Sequence, residues 1–312
     1  MRIENLTILQ AMFEKYHMRS IAFVIAIVSF NSIAAENLTL STNEKSTVII
    51  ENVVYGPDEQ EVMDICQPKS PTNASPVLLL IHGGGWTSGD KSTYMPLCKF
   101  YAKKGLAVIS INYRLFNIKT PSNQWPAQIS DAQLAVRWAR THANEYSFNT
   151  NKICAYGDSS GGHLALLLGL LSSKWKSDRD EIYPNESSSV TCVVDNFGPT
   201  DLKNSSQPIL KTAQALVPNE IDKTGESYLD IASPLFHVHP LGAPTMIVQG
   251  SNDELVPKSQ SISLRDAMLK SGMKVNYLEY VGGHQYKGLT PQEALTVSEA
   301  QVEFILKMLV KN

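Results

Sequence analysis

Short apolar and β-branched runs alternate with longer stretches whose apolar residues recur at helical spacing along most of the chain. The runs that predict strands are 47–55, 62–66, 77–81, 106–112, 153–156, 190–196, 245–249 and 274–280. The stretches that predict helices are 94–104, 126–144, 160–173, 258–271 and 291–310. A chain with this alternation folds into a sheet that is covered by helices.

The connections between these elements predict the direction of the strands. Residues 56–58 read Gly-Pro-Asp, a turn signal that makes the first two strands an antiparallel hairpin. From residue 77 onward each strand is followed by a helix, which requires parallel strands with right-handed crossovers and helices on both faces. We therefore predict an α/β fold of three layers with a mostly parallel, eight-stranded sheet. Residues 201–231 interrupt the alternation and predict a small insertion of short helices over the carboxyl edge of the sheet.

Length and composition fit one globular domain over residues 36–312. The chain has 312 residues, of which 43% are hydrophobic and 18% charged, and this is enough to bury a sizeable core. Its net charge of -3 is spread without a basic stripe, which argues against a nucleic-acid partner. A small organic or carbohydrate molecule is the expected partner, and the sequence leaves the oligomeric state open.

The N-terminus predicts export. A hydrophobic run at 21–30 follows Arg19, and the small residues Ala34 and Ala35 come shortly after it. This order is typical of a signal peptide over residues 1–35, with a true start at Met18 and a mature, periplasmic or secreted protein. The run is too short to span a bilayer, so no stable membrane insertion is expected after cleavage.

The four cysteines, Cys66, Cys98, Cys154 and Cys192, leave three pairings open if all are oxidised. Export favours disulfides, but Cys154 and Cys192 lie in apolar runs where buried free thiols are the simpler interpretation. No Cys and His residues have the spacing of metal ligands, so we expect neither a metal nor another cofactor.

The central chemical motif is Gly-Asp-Ser-Ser-Gly at residues 157–161. It follows a predicted strand and precedes a predicted helix, which is the context of a nucleophile elbow with Ser159 at its tip. The pattern alone is weak, whereas the strand and helix around it make the prediction specific.

A glycine-rich segment, His-Gly-Gly-Gly-Trp at 82–86, follows the strand at 77–81. A backbone without side chains can aim its N–H groups at a developing oxyanion. The candidate oxyanion-hole donors are the amides of Gly83, Gly84 and Ser160.

The acid and the general base of a triad should follow the serine in that order. Asp253 comes just after the strand at 245–249, beyond the turn at 250–252, and Glu254 is the competing acid. His284 lies on a glycine-rich loop after the next strand and is the candidate base. The remaining histidines of the mature chain lie in helices, in a proline-rich segment or in the glycine segment.

Five apolar or aromatic residues lie close in sequence to these loops and are candidate substrate-binding residues. They are Trp86, Trp125, Phe197, Leu255 and Tyr286.

Together these motifs resemble the α/β-hydrolase esterases related to hormone-sensitive lipase, and most closely the short bacterial feruloyl and acetyl esterases of the BD-FAE type. The residues that carry the resemblance are 64–68, 82–86, 89–91, 110–115, 125–128, Asp131, 157–165, 232–234, Asp253, 256–257 and His284. The resemblance implies hydrolysis of short-chain acyl esters through an acyl-enzyme, and structural roles for Arg114 and Asp131. The chain lacks the long N-terminal cap of the larger lipase relatives, which argues against a deep acyl pocket.

Three other functions remain open on sequence grounds. An amidase of the arylformamidase type uses the same glycine segment and triad. A non-catalytic binding protein on this scaffold and an exported peptidase are the other two. The acyl group and the alcohol are likewise open.

Overall fold

A computed structural model of the protein describes residues 46–71, 73–171, 175, 177–217 and 225–310. The predicted signal peptide lies outside these residues. The strands are β1 (Thr47–Val54), β2 (Val62–Pro68), β3 (Ser75–Ile81), β4 (Ala107–Ile111), β5 (Phe148–Asp158), β6 (Cys192–Asn196), β7 (Thr245–Gly250) and β8 (Val275–Tyr280). The α-helices are α1 (Met95–Lys103), α2 (Ala127–Thr141), α3 (Ala143–Tyr146), α4 (Ser160–Leu170), α5 (Gln207–Leu216), α6 (Tyr228–Ile231), α7 (Lys258–Ser271) and α8 (Pro291–Leu309).

All of these strands form one eight-stranded sheet in the order β1-β2-β4-β3-β5-β6-β7-β8. β2 pairs antiparallel with both β1 and β4, and the remaining neighbours are parallel. The predicted hairpin and the predicted mostly parallel α/β sheet are therefore confirmed. The parallel arrangement brings the carboxyl ends of β5, β7 and β8 to the same edge of the sheet.

Hydrophobic residues pack on both faces of the sheet. On β3, Val77, Leu79 and Ile81 belong to one core cluster, and Leu78 and Leu80 belong to the other. Residues of α2, α4 and α7 complete the first cluster, and residues of α1 and α8 complete the second. A central strand covered on both faces reads as a continuous apolar run, which is why β3 is recognisable in the sequence.

Two elements differ from the predicted ones. The predicted strand at 153–156 is only the apolar part of β5, which begins at Phe148 because Ser75 pairs with that residue before the register shifts. The predicted helix at 126–144 is two helices, α2 and α3. Backbone pairing with a neighbour extends a strand through polar residues, and periodicity does not detect this.

The cysteines form two disulfides, Cys66–Cys98 and Cys154–Cys192. The interpretation of Cys154 and Cys192 as free thiols was wrong. These two residues are register partners on the adjacent strands β5 and β6, and their Cα atoms lie 4.6 Å apart. That separation is within bonding range for a disulfide.

A buried ion cluster braces the region beneath the sheet edge. The Arg114 guanidinium bonds to Asp131 at 2.6 Å and to Asp178 at 2.9 Å, and the Asp131 side chain is fully buried. This arrangement agrees with the structural roles that the resemblance implied for Arg114 and Asp131.

The predicted insertion contains α5 and α6, and residues 218–224 between them lie outside the described part. Ser206, just before α5, donates a hydrogen bond to the Leu255 carbonyl at 2.5 Å, which ties the insertion to the loop after β7. Within the described ranges, none of the helices has the length and apolar character needed to cross a membrane.

Candidate active site

Ser159 lies at the turn between β5 and α4 with φ 52° and ψ -120°, a conformation that is uncommon for a residue with a side chain. Its amide donates to the Asn196 carbonyl at 2.8 Å, which anchors the turn to β6. A Cβ atom at Gly161 would collide with the Ile81 carbonyl oxygen, so the elbow requires glycine at that position. The predicted elbow geometry is therefore present around Ser159.

His284 lies between Ser159 and Asp253. Its Nε2 atom is 3.0 Å from Ser159 Oγ, and its Nδ1 atom is 2.7 Å from Asp253 Oδ2. Because an ionised carboxylate only accepts hydrogen bonds, the imidazole proton is assigned to Nδ1, which donates to Asp253. Nε2 then accepts from the serine hydroxyl. The three side chains that the sequence singled out thus form one continuous hydrogen-bonded row.

The Asp253 carboxylate is fixed by the turn that follows it. Its Oδ1 atom accepts from the Leu255 amide at 2.9 Å and from the Val256 amide at 2.8 Å. Gln249 Nε2 donates to the other carboxylate oxygen, Asp253 Oδ2, at 3.3 Å. Glu254, the competing acid, is exposed, whereas Asp253 faces His284.

The glycine segment lies against the elbow, with Gly84 at φ 122°. The Gly83 amide donates to Asp158 Oδ1 at 3.1 Å, and the Tyr94 hydroxyl bonds to the same oxygen. Burial raises the pKa of Asp158, and the Tyr94 hydrogen bond opposes that shift. One of the three predicted oxyanion donors is therefore already engaged by a carboxylate. The Ser160 amide is in the first turn of α4, where backbone N–H groups have no partner within the helix.

Three of the predicted substrate-binding residues belong to the core, namely Trp86, Trp125 and Phe197. Trp86 is fully buried and Trp125 is 5% exposed, and both rings contact the His163 ring edge-on. Trp86 Nε1 donates to His163 Nδ1 at 3.3 Å, so the indole supports the helix behind the elbow. The substrate-binding role predicted for Trp86 and Trp125 does not fit this burial, because neither ring presents appreciable surface to a substrate.

Phe197 and the other two candidates are closer to the hydrogen-bonded row. The Phe197 ring contacts the His284 ring with centroids 4.8 Å apart, and the Tyr286 ring contacts Phe197 at 5.1 Å. Leu255 is half-buried, and its amide bonds to Asp253. Phe197, which is 1% exposed, therefore packs on the histidine from the core, Tyr286 packs on Phe197, and Leu255 lies beside the acid. The substrate-binding role predicted for Phe197 does not fit its burial either.

His163 is a buried residue that the sequence did not select as a candidate. Its Nε2 atom donates to the Ala232 carbonyl at 2.7 Å, and burial lowers its pKa to about 4. It stays neutral and structural at neutral pH.

Sequence reasoning also missed Asn196 and Gln301, which bond to one another at 2.6 Å beneath the site. Asn196 ends an apolar strand and Gln301 lies in the middle of a long helix, so neither forms a local motif. No group of three or more His, Cys, Asp or Glu side chains in the described ranges is arranged to hold a metal ion.

The fold and the row of Ser159, His284 and Asp253 at the carboxyl edge of the sheet define an α/β-hydrolase-fold protein. Residues 63–268 match the BD-FAE family, and the chain belongs to that family. The resemblance inferred from the sequence motifs is thereby confirmed.

Two curated relatives are mycobacterial esterases. Esterase LipC of Mycobacterium tuberculosis is 31% identical over 244 residues, which cover 75% of this chain and 59% of that protein. Esterase LipQ of the same organism is 28% identical over 266 residues, which cover 81% of this chain and 61% of that protein. The chain thus spans about three fifths of the length of these relatives.

Solved structures share the fold. A truncated carbohydrate esterase from gut microbiota is 25% identical, with a TM-score of 0.67 over 85% of this chain and 99% of that chain. A thermophilic esterase of the planctomycete Thermogutta terrifontis is 23% identical, with a TM-score of 0.67 over 83% of this chain and 93% of that one.

Proposed function

We propose that the protein is a serine carboxylesterase that hydrolyses short-chain acyl esters through an acyl-enzyme. The observation that carries this proposal is the position of His284, whose Nε2 atom lies 3.0 Å from Ser159 Oγ and whose Nδ1 atom lies 2.7 Å from Asp253 Oδ2. In this arrangement the hydroxyl proton has an acceptor, and the acceptor has a carboxylate that stabilises its charged form.

The proposed reaction has two halves. His284 takes the proton of Ser159 Oγ as that oxygen attacks the ester carbonyl, and then gives it to the departing alcohol. A water molecule next attacks the acyl-enzyme and His284 takes its proton. His284 then returns this proton to Ser159 Oγ as that oxygen leaves and the carboxylic acid forms. Asp253 keeps the imidazole in one tautomer in both halves.

The oxyanion of the tetrahedral intermediate needs N–H donors. We assign this role to the amides of Gly84 and Ser160, with the Gly83 amide shared with Asp158. Each such donor contributes about 3 kcal/mol to transition-state stabilisation. No metal or other cofactor takes part in this proposal.

The proposed substrates carry a short-chain acyl group such as acetyl, or a feruloyl group, on a carbohydrate or a small alcohol. Ile209, Ala213 and Leu216 of α5 pack into the core and do not line an acyl channel. The likeness to a carbohydrate esterase supports a carbohydrate alcohol. Phe197 is 1% exposed and its ring lies against His284, so it supports the imidazole from the core and is not assigned to contact with the acyl group.

A substrate panel tests the proposal. Purified protein is assayed with p-nitrophenyl acetate, methyl ferulate, acetylated xylan and N-formylkynurenine, with Ser159→Ala as the control variant. We expect turnover of the esters by the wild type and none by the variant. Faster turnover of N-formylkynurenine than of any ester would make the protein an amidase. Absence of all turnover by a correctly folded protein would support a binding protein instead.

We further propose that the protein is exported to the periplasm or secreted. The run at 21–30 supports this, as do two disulfides, which persist in oxidising compartments. N-terminal sequencing of the protein from a periplasmic extract should give a start just after Ala34 or Ala35. A mature chain in the cytoplasm that retains residues 18–35 would refute this proposal.

A further inference from the structure

A buried polar network lies beneath the loop that carries His284. The Tyr286 hydroxyl donates to Asn196 Oδ1 at 2.8 Å. Gln301 Nε2 donates to the same oxygen at 2.6 Å and to the Tyr286 oxygen at 3.0 Å. Asn196 is fully buried and Gln301 is 7% exposed. We call these three residues the histidine-loop network.

The network is also bonded to the elbow. Asn196 Nδ2 donates to the Gly157 carbonyl at 2.8 Å, and the Asn196 carbonyl accepts from the Ser159 amide at 2.8 Å. Asn196 thus contacts the serine turn through its backbone and its side chain, and contacts Tyr286 through its side-chain oxygen. A change in the position of Tyr286 relative to Asn196 is therefore a change relative to Ser159.

The His284 loop needs such support because its backbone is unusual. Gln285 and Tyr286 follow His284 with φ values of 57° and 61°, both in the left-handed region that disfavours residues with side chains. Consecutive residues of this kind persist only where their surroundings hold them. The Tyr280 hydroxyl also stabilises the loop, because it donates to the Gly283 carbonyl at 2.9 Å and accepts from the Tyr286 amide at 3.2 Å.

Side-chain packing connects the same residues to the imidazole. The Phe197 ring lies between the two, 4.8 Å from the His284 ring and 5.1 Å from the Tyr286 ring. Tyr286 is therefore connected to His284 through two peptide bonds of the chain and through the Phe197 ring. Its hydroxyl bonds inward to Asn196 and Gln301, which differs from the substrate-binding role expected from its place in the sequence.

We propose that Tyr286 is a positioning residue for the hydrolytic reaction. The histidine-loop network fixes the His284 loop to the elbow and thereby sets the distance between His284 Nε2 and Ser159 Oγ. This inference rests on the proposed function, because it assigns the network to the same serine and histidine. The rate of proton transfer from Ser159 Oγ to His284 Nε2 depends on the alignment of the two atoms, and a misplacement of about 1 Å can cost about a hundredfold, so a loosened loop lowers the rate of the chemical step.

The test compares Tyr286→Phe with Tyr277→Phe. The first removes a hydroxyl from the network and keeps the ring against Phe197. The control removes a hydroxyl on β8 whose partner is the exposed Glu279, at 3.0 Å. For Tyr286→Phe we expect kcat on p-nitrophenyl acetate to fall about tenfold with KM unchanged. The loss of its buried hydrogen bonds should also lower the thermal midpoint by a few degrees, so both proteins are assayed well below their midpoints. Tyr277→Phe should keep the wild-type kcat and KM.

A second variant tests the network as a unit. Gln301→Leu removes both of the hydrogen bonds that this side chain donates to the network, at a side chain that is 7% exposed. Gln301→Leu should also lower kcat. The double variant Tyr286→Phe/Gln301→Leu should show a smaller fall in kcat than the product of the two single falls, because the residues act through one network. Gln301→Leu alone also provides a measurement of kcat if Tyr286→Phe does not fold.

The outcomes separate the inference from the proposed function. A rise in KM with kcat unchanged in Tyr286→Phe would make Tyr286 a substrate-binding residue and overturn the inference. Wild-type kcat in both Tyr286→Phe and Gln301→Leu would overturn it too, while loss of activity in Ser159→Ala would leave the proposed function standing. Full activity of Ser159→Ala would overturn both.

Discussion

Asp253 Oδ2 lies 2.7 Å from His284 Nδ1, while the neighbouring Glu254 is exposed. The turn after β7 decides between these adjacent acids, because the amides of Leu255 and Val256 both donate to Asp253 Oδ1. The carboxylate is thereby oriented before any substrate binds.

The first prediction follows from this orientation. Asp253→Asn should lower kcat by several powers of ten, because an amide no longer stabilises the imidazolium or holds its tautomer. Glu254→Gln, which changes the adjacent exposed acid in the same way, should remain close to the wild type. Steady-state kinetics on p-nitrophenyl acetate measure both. An inactive Glu254→Gln beside an active Asp253→Asn would reverse the assignment of the acid.

The second prediction concerns the length of the acyl chain. A longer acyl chain gains about 0.8 kcal/mol of binding free energy for each buried methylene, but only where apolar side chains are available to cover it. The buried face of α5 is used in the core, so kcat/KM should be highest for acetate to butyrate esters and should not rise beyond them. The measurement is kcat/KM across p-nitrophenyl esters below their critical micelle concentrations. A steady rise from hexanoate to dodecanoate would indicate a deep acyl channel.

The third prediction is a pH effect on stability. Burial lowers the pKa of folded His163 to about 4, whereas an unfolded histidine has a pKa near 6.5. Between these values the unfolded chain binds the proton and the folded chain does not, so stability is lost as the pH falls from about 6.5 toward 4. The His163 contribution to the loss between pH 7 and pH 5 is about 2 kcal/mol.

Urea unfolding at pH 7 and pH 5 measures this effect. The loss of unfolding free energy on acidification should be smaller in His163→Gln than in the wild type. His142→Gln changes a partly exposed histidine in the same way and serves as the control. An equal loss in all three proteins would show that His163 does not contribute to the pH dependence.

The fourth prediction concerns the disulfide behind the elbow strand. Cys154–Cys192 joins residues 38 positions apart, and cross-links of this span stabilise proteins by about 3 to 4 kcal/mol. The double variant Cys154→Ala/Cys192→Ala should therefore unfold at a clearly lower urea concentration. Alkylation of the unreduced, denatured wild type should find no free thiol. A full set of reactive thiols, with the variant as stable as the wild type, would contradict the pairing.

The sequence by itself determined the strand and helix alternation, the direction of most strands and the three residues of the hydrogen-bonded row. These follow from local features, since apolar periodicity reports which face of an element is buried, and turn motifs such as Gly-Asp-Ser-Ser-Gly report a backbone shape. Ser159 directly follows β5, and Asp253 and His284 come shortly after the ends of β7 and β8. Parallel strands end at one edge, so the order of the elements alone was enough to predict that these residues meet.

Only the tertiary structure decided what depends on register and on contacts between distant segments. The Cys154–Cys192 pairing results from the alignment of β5 with β6, and the burial of Trp86 and Trp125 results from their packing around His163. Asn196 and Gln301 are 105 positions apart and have no motif that connects them. A buried polar group is costly unless it finds a partner, and the identity of that partner is set by the packing of the whole chain rather than by its neighbours in sequence.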